Sequence, residues 1–199
     1  RRRHSFPTRR SSDLCPTSPK DFEKQKIESL VANSVAMLNT LDLAVRYRAK
    51  YVFSSSAVVY GTDVDAKKTL TETDQGIANH LSERACYDEG KRFAETCVST
   101  YKQVHGIDAK IARVFTTYGP HMRLFEKQLI PDFIMNALEG KDLVIYGDES
   151  FSTSLCYVTD MVDGLVRLMA TDPSVSVVNI GGDTIIKYAD VAQMILSLT

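Results

Sequence analysis

Residues 51–61 read Tyr-Val-Phe-Ser-Ser-Ser-Ala-Val-Val-Tyr-Gly. Tyr51-Val52-Phe53 has the β-branched and aromatic character of a buried strand, and Ser54-Ser55-Ser56 leave its C-terminal end. Upstream, Ile27, Leu30, Val31, Leu38, Leu41 and Val45 recur at helical spacing and predict one long helix over residues 22–48. Downstream, a loop rich in Thr, Asp and Gly fills 61–83. A helix follows over 86–104, apolar at Phe93, Ala94, Cys97, Val98 and Tyr101 and closed by His105-Gly106. Ile111 to Val114 reads as a buried strand, and Gly119-Pro120 stops it before a helix near 128–139. A strand over Leu143 to Tyr146, a helix near 160–170, a strand over Val177 to Ile180 and a helix from 187 complete the pattern. Alternation of this kind predicts a mostly parallel sheet covered by helices.

The 199 residues, 44% apolar and 25% charged, have the composition of a soluble globular domain with a real core. A net charge of −1 supplies no global field for nucleic acid or an anionic membrane. Cys15, Cys86, Cys97 and Cys156 lack the paired spacing of a zinc site, and His80, His105 and His121 form no metal spacing, so no metal is expected. The default setting is reducing and cytoplasmic, and no run of about 18 apolar residues predicts a membrane span.

Residues 1–14 stand apart. They hold five Arg and one Asp without apolar periodicity, and Ser5 to Leu14 resembles a translated sequencing adapter, so this stretch is expected to be disordered and foreign to the fold. Without it the chain carries 19 basic and 24 acidic residues, a net charge of −5.

Tyr87 and Lys91 are four residues apart at the start of a predicted helix, on one face and within side-chain reach. An ammonium beside a phenol favours the phenolate and makes a usable base near neutral pH. Alone, this spacing recurs by chance in many helices. Its context is the serine run 31 residues upstream at a strand's C-terminal end, where ligands sit in open parallel sheets. A hydroxyl there can hydrogen-bond a substrate oxygen while Tyr87 moves its proton.

In combination, several motifs resemble the extended short-chain dehydrogenase/reductase family of NAD-dependent nucleotide-sugar epimerases, dehydratases and decarboxylases. These are Cys15-Pro16-Thr17-Ser18-Pro19, Asn33 with Leu41 to Ala44, Ser54 to Gly61, Cys86 to Arg92, Arg113 to Pro120, and Cys156 to Asp160. The resemblance implies an α/β, incomplete Rossmann-like doubly wound parallel sheet with a small C-terminal substrate-binding part and the N-terminal βαβ units missing. It divides the chain into 15–118, the C-terminal part of an NAD-binding domain with the catalytic residues, and 119–199, mainly nucleotide-sugar binding, expected to be truncated and to return some segments to the Rossmann sheet. No Gly-rich pyrophosphate turn precedes a helix, and the chain is expected to be a piece of a longer enzyme. By the same likeness Tyr87 is the general base, Lys91 binds the nicotinamide ribose and tunes Tyr87, and Ser56 holds the reacting hydroxyl. Ser54 and Asn33 join Tyr87 and Lys91 on the cofactor side. Thr116, where many relatives have Asn, Tyr146, which would stack on the base, and Arg123, which would reach a diphosphate, join Ser56 on the substrate side. The implied partner is a UDP- or dTDP-linked sugar, and the full-length enzyme is expected to be a homodimer.

Oxidation at C4 of the sugar is the implied shared step, and the following step separates the subfamilies. Dehydratases carry an Asp-Glu pair where this chain has Ala57 and Val58. Glucuronate decarboxylases carry Glu at the Val58 place and Arg at the Thr153 place, although the run Cys86 to Arg92 and the Cys15 turn look most like theirs. Epimerisation needs no added acid or base, so the residue-level reading puts a 4-epimerase first and a UDP-glucuronate decarboxylase making UDP-xylose second. A non-catalytic NAD or nucleotide-sugar binding protein is the rival from another class. No nucleic-acid role is expected, and a chain lacking residues 1–14 should show no salt-dependent DNA affinity when titrated at two ionic strengths.

Overall fold

The computed structural model describes residue 16 and residues 18–61, 69–145 and 151–199. Three helices come first, α1 (Pro19–Lys24), α2 (Lys26–Asn33) and α3 (Val35–Tyr47), then strand β1 (Tyr51–Ser56), a 3-10 turn (Ala57–Tyr60) and the long helix α4 (Ala85–His105). Next come β2 (Ala109–Val114), β3 (Thr117–Tyr118), α5 (Leu129–Leu138), β4 (Ser152–Ser154), β5 (Cys156–Tyr157) and α6 (Val158–Ala170). The chain ends with β6 (Val177–Ile180), β7 (Ile185–Lys187) and α7 (Tyr188–Leu198).

β1, β2 and β6 form a parallel sheet in the order β1-β2-β6. Its register places Phe53 beside Ile111 and Ile111 beside Val177, an apolar row. That row packs with Met37, Leu41 and Ala44 of α3 and Ala94, Cys97 and Val98 of α4 into the main core. Strand side chains alternate faces, so the next row on the same face, two residues toward the C-terminal ends, is Ser55, Arg113 and Asn179. The other face takes α6, whose Gly164 lies against Ile180. A second cluster joins Phe133 of α5 to Val191 and Ala192 of α7, with Leu143, Ile145 and Leu155 packed against it. Two short pairings, β3 with β5 and β4 with β7, complete the strands. No described helix is long and apolar enough to cross a membrane.

The alternating parallel architecture follows the sequence pattern, with three corrections. The helix expected over 22–48 is broken at Gln25 (φ −120°, ψ 52°) and Ser34 (φ −122°, ψ −82°). Ser34 donates its hydroxyl to the Leu30 carbonyl, a local bond that competes with the helix ladder. Over α2 the expected face is also inverted: Ser29 and Asn33 are buried, whereas Ile27 is 68% exposed and Leu30 and Val31 are exposed as well; in α3 Leu38 is exposed too, but Leu41 and Val45 face the main core as expected. Finally, Leu143 to Ile145 pair with no strand among the described residues; their alternate side chains are absorbed by the second cluster instead.

α4 starts at Ala85 and is stopped by Gly106 in the left-handed region (φ 64°), the conformation glycine adopts without Cβ strain. Gly90 sits where α2 crosses it. A Cβ there would lie 3.1 Å from both Cβ and Nδ2 of Asn33, itself held by a 2.9 Å bond from Nδ2 to the Ser29 carbonyl. One turn from Lys91's neighbours, Asp88 is tucked into the same helix; burial holds its carboxyl above the ordinary carboxylate range, against the pull of Arg84 at 3.5 Å.

Two outcomes follow. Gly90→Val should cost about 1–3 kcal/mol by overpacking the crossing, lowering Tm by roughly 2–4 °C for each kcal/mol in a chain of this size. For Asp88, a raised folded-state pKa means that the folded chain binds more protons than the unfolded one just above the ordinary value, so the group loses stability as pH rises through that interval. Urea melts at a series of pH values should therefore show Asp88→Asn gaining on the parent as pH rises through it; parallel curves would contradict this.

Candidate active site

The parallel strands end together, with Ser56 of β1 beside Val114 of β2 and Val114 beside Ile180 of β6. α4 starts at this end of the sheet. Tyr87 and Lys91 are both buried, and Lys91 is only 8% exposed. A buried ammonium needs compensation, and Lys91 obtains it by donating to the Ser54 carbonyl at 2.9 Å, with its Nζ 4.9 Å from the Phe53 ring centre and 5.7 Å from that of Tyr87. The helical spacing thus puts the ammonium beside the Tyr87 ring.

Ser56 terminates β1 in extended geometry and caps the 3-10 turn, accepting from the Val58 amide at 3.4 Å. Ser54 meets the cluster through its main chain. Asn33 approaches from α2 at Gly90, the residue before Lys91. Thr116, two residues past β2, shares a 2.9 Å hydroxyl–hydroxyl hydrogen bond with Thr153 of β4. Arg123 is three-quarters exposed and pairs with Asp21 at 3.4 Å. Tyr146 lies outside the described residues. Just before it, Leu143 and Ile145 turn inward to the second cluster, while Val144 lines a cavity of about 750 Å³ with Phe125, Gln128, Leu129, Phe133 and Tyr188.

A polar network beside the cluster escaped the sequence reading. Glu95 accepts from Ser55 Oγ at 2.6 Å and receives Arg113 through Nε (3.0 Å) and a second guanidinium nitrogen (2.8 Å). Arg113 also donates to Tyr60 Oη at 2.9 Å, and Tyr60 donates to Asn179 Oδ1 at 2.7 Å. Burial works against the guanidinium's charge, but the bonds to Glu95 and Tyr60 outweigh it and hold its pKa above arginine's ordinary value. The signal was available: Glu95 continues the four-residue spacing of Tyr87 and Lys91 by one more step.

Residues 17–181 match the family model described as "NAD dependent epimerase/dehydratase family". The chain is 36% identical over 184 residues to UDP-glucuronic acid decarboxylase 6 of Arabidopsis thaliana, covering 92% of this chain and 53% of that protein. Among solved structures, the epimerase Mth375 of Methanothermobacter thermautotrophicus superposes with a TM-score of 0.81 at 24% identity, over 92% of this chain and 54% of that one. The UDP-glucuronic acid 4-epimerase of Bacillus cereus, in complex with UDP-glucuronic acid and NAD, gives 0.76 at 25% identity, over 93% and 55%. The chain therefore spans about half the length of the curated relatives it matches. With the family model matched over most of its length, the chain belongs to the NAD dependent epimerase/dehydratase family.

Proposed function

We propose that this chain carries the catalytic residues of an NAD-dependent enzyme that oxidises the sugar of a UDP-uronic acid at C4, with decarboxylation as the outcome. The observation that carries the reading is the buried Lys91, bonded to the Ser54 carbonyl near the end of the strand with its ammonium beside the buried Tyr87 ring. NAD, when bound, accepts the hydride that leaves C4. The donor set fits its nicotinamide ribose: a buried ammonium and a phenol at the C-terminal end of a parallel sheet. Lys91 and Tyr87 would hold that ribose, with the Ser54 carbonyl aiming the ammonium and Asn33 setting the height of α4 through Gly90. The pyrophosphate turn is proposed to lie in the part of the relatives' length that residues 1–199 do not cover.

Ser56 orients the C4 hydroxyl, and Tyr87 as phenolate takes its proton while the hydride departs, leaving a 4-keto sugar. In a 4-keto uronic acid the carboxylate is β to the ketone. Cleavage of the C5–C6 bond releases CO2 and sends its electron pair into an enolate whose oxygen Tyr87, now protonated, can hydrogen-bond; a proton from water then adds at C5, and Tyr87 returns its proton to the C4 oxygen as the ketone is reduced back to the alcohol. The β-keto arrangement itself activates the bond, so the step does not demand a second carboxylate. Likeness to glucuronate decarboxylases over 92% of the chain supports this outcome above the 4-epimerase that the residue-level reading put first. Epimerisation stays as the second reading because Ala57 and Val58 bring no proton donor and Thr153 no cation. The cavity beside Val144 is the proposed seat of the nucleotide, and the exposed apolar residues of α2 and α3 support a homodimer.

The test is the chain extended upstream with its native residues, supplied with NAD and UDP-glucuronate. Released CO2 with UDP-xylose supports the proposal; UDP-galacturonate without CO2 supports epimerisation; NAD binding without turnover on UDP- and dTDP-sugars supports the non-catalytic rival. Tyr87→Phe should lower turnover by at least about a hundredfold, and an undiminished rate overturns the assignment of the base.

A further inference from the structure

We propose that Glu95, held by Arg113, is a positioning residue that fixes α4 on β1 and thereby sets Tyr87 against Ser56. The proposal rests on the reading of Tyr87 as base and Ser56 as hydroxyl holder, and deepens it. Its ground is the way three bonds from α4 bracket Ser56. Lys91 donates to the Ser54 carbonyl at 2.9 Å, Glu95 accepts from Ser55 Oγ at 2.6 Å, and Arg92 donates to the Val59 carbonyl at 3.0 Å. The strand just before Ser56 and the turn just after it are thus tied to the same two turns of helix.

Glu95 is the member that refers this arrangement to the rest of the sheet. Tyr87, Lys91 and Glu95 recur every four residues, one stripe along α4. Arg113 reaches Glu95 from β2 in the sheet row Ser55, Arg113, Asn179, and the guanidinium is itself held by Tyr60 and by the Glu72 carbonyl at 3.0 Å. The side chains of Glu95 and Arg113 are 12% and 13% exposed, and all of these contacts are directional. The apolar row below, Phe53, Ile111 and Val177, is non-directional by nature and tolerates a helix that slides or rolls. A buried ion pair adds little net stability over an apolar substitute, so its contribution here is to choose one helix position among several of similar energy. A reacting oxygen and its base must keep that position closely, since misplacement by about 1 Å can cost up to a hundredfold in rate.

The experiment uses the chain extended upstream, with kcat and KM for UDP-glucuronate measured beside thermal melts. Ser55→Ala removes the strand's link to Glu95 while leaving the Glu95–Arg113 pair intact, so the fold is retained. It should lower kcat about tenfold with KM changed less than about twofold. Ser55→Thr, which keeps the hydroxyl, should recover most of the lost kcat. Glu95→Leu, which removes the acceptor, should lower kcat further, and adding Ser55→Ala to it should bring no additional loss, because the Ser55 link is already broken. If Glu95→Leu fails to fold, the comparison of Ser55→Ala with Ser55→Thr decides alone. A purely structural role predicts lower Tm with parental kcat per folded molecule, and that result overturns the proposal. Tyr87→Phe serves as the reference: if it stays active, the catalytic reading falls and the positioning role with it. If it is inactive while Ser55→Ala turns over normally, only the positioning role falls.

Discussion

A buried ammonium is the constraint around which this molecule is organised. Lys91 lies in the helix that covers the sheet, where water cannot serve it, and the ion must be compensated within the protein. The compensation is a main-chain carbonyl at the one stretch of β1 whose next residue is Ser55 and whose end is Ser56. To bring Lys91 there, α4 has to cross β1 close enough for the Phe53 ring to sit under the charge. Closeness has its own requirement where α4 meets α2, met by Gly90, against which the buried Asn33 packs. The break in the N-terminal helical run at Ser34 follows from the same geometry. α2 presents Ser29 and Asn33 inward while α3 presents Met37, Leu41 and Ala44 to the main core.

The sheet divides its work by rows. On the face covered by α4, Phe53, Ile111 and Val177 supply area that water leaves, and the next row, Ser55, Arg113 and Asn179, supplies direction. The apolar row accounts for cohesion and the polar row for orientation. The polar row lies on the side where the chemistry is proposed, which is the arrangement an open parallel sheet favours: loops and helix starts meet at the C-terminal strand ends, and polar groups there can stay satisfied without opening the core. Each member of the row has a partner outside its own strand. Ser55 has Glu95, Arg113 has Glu95 and Tyr60, and Asn179 holds the Leu70 carbonyl as well as Tyr60.

What could be read from the sequence was what depends on short-range periodicity. The Tyr87–Lys91 pair, the Gly106 stop of α4, and the strands at 51–56, 109–114 and 177–180 all announce themselves by local spacing or backbone preference. The inverted face of α2 does not. Ile27, Leu30 and Val31 satisfy a helical apolar stripe, yet that stripe faces outward, because periodicity shows that a helix is amphipathic and not which neighbour its faces meet. Leu143 and Ile145 alternate like a strand because alternate side chains enter a cluster, though no described strand pairs with them. β3, β4, β5 and β7, two or three residues each, are too short to produce a period at all. The Glu95–Arg113 pair was half legible: its helical half continues a stripe already singled out, but its strand half depends on a register 18 residues away that only the folded sheet supplies.

The mouth of the site is where likeness and residue chemistry pull apart, and the physics of the proposed reaction decides how far they differ. Ala57 and Val58 follow Ser56 without a titratable group, and Thr116 and Thr153 satisfy each other as neutral hydroxyls at 2.9 Å. Among the described residues, these four positions give no cation to grip a carboxylate and no acid–base pair to expel water from neighbouring carbons. Dehydration is therefore the outcome least compatible with them, since loss of hydroxide and of a carbon-bound proton both require transfer partners. Decarboxylation of a β-keto acid asks less. Its leaving group departs as neutral CO2, and the charge moves from carboxylate to enolate oxygen, toward the phenol and the Lys91 ammonium. A rim that does not hold the carboxylate leaves its ground state less stabilised, while the ammonium beside Tyr87 favours the charge where it arrives, and only that difference lowers the barrier. In the proposed reaction the neutral residues and the buried cation act together: the carboxylate is left unheld, and the charge arrives beside the Lys91 ammonium, on a helix bonded to Ser54 and packed through Gly90.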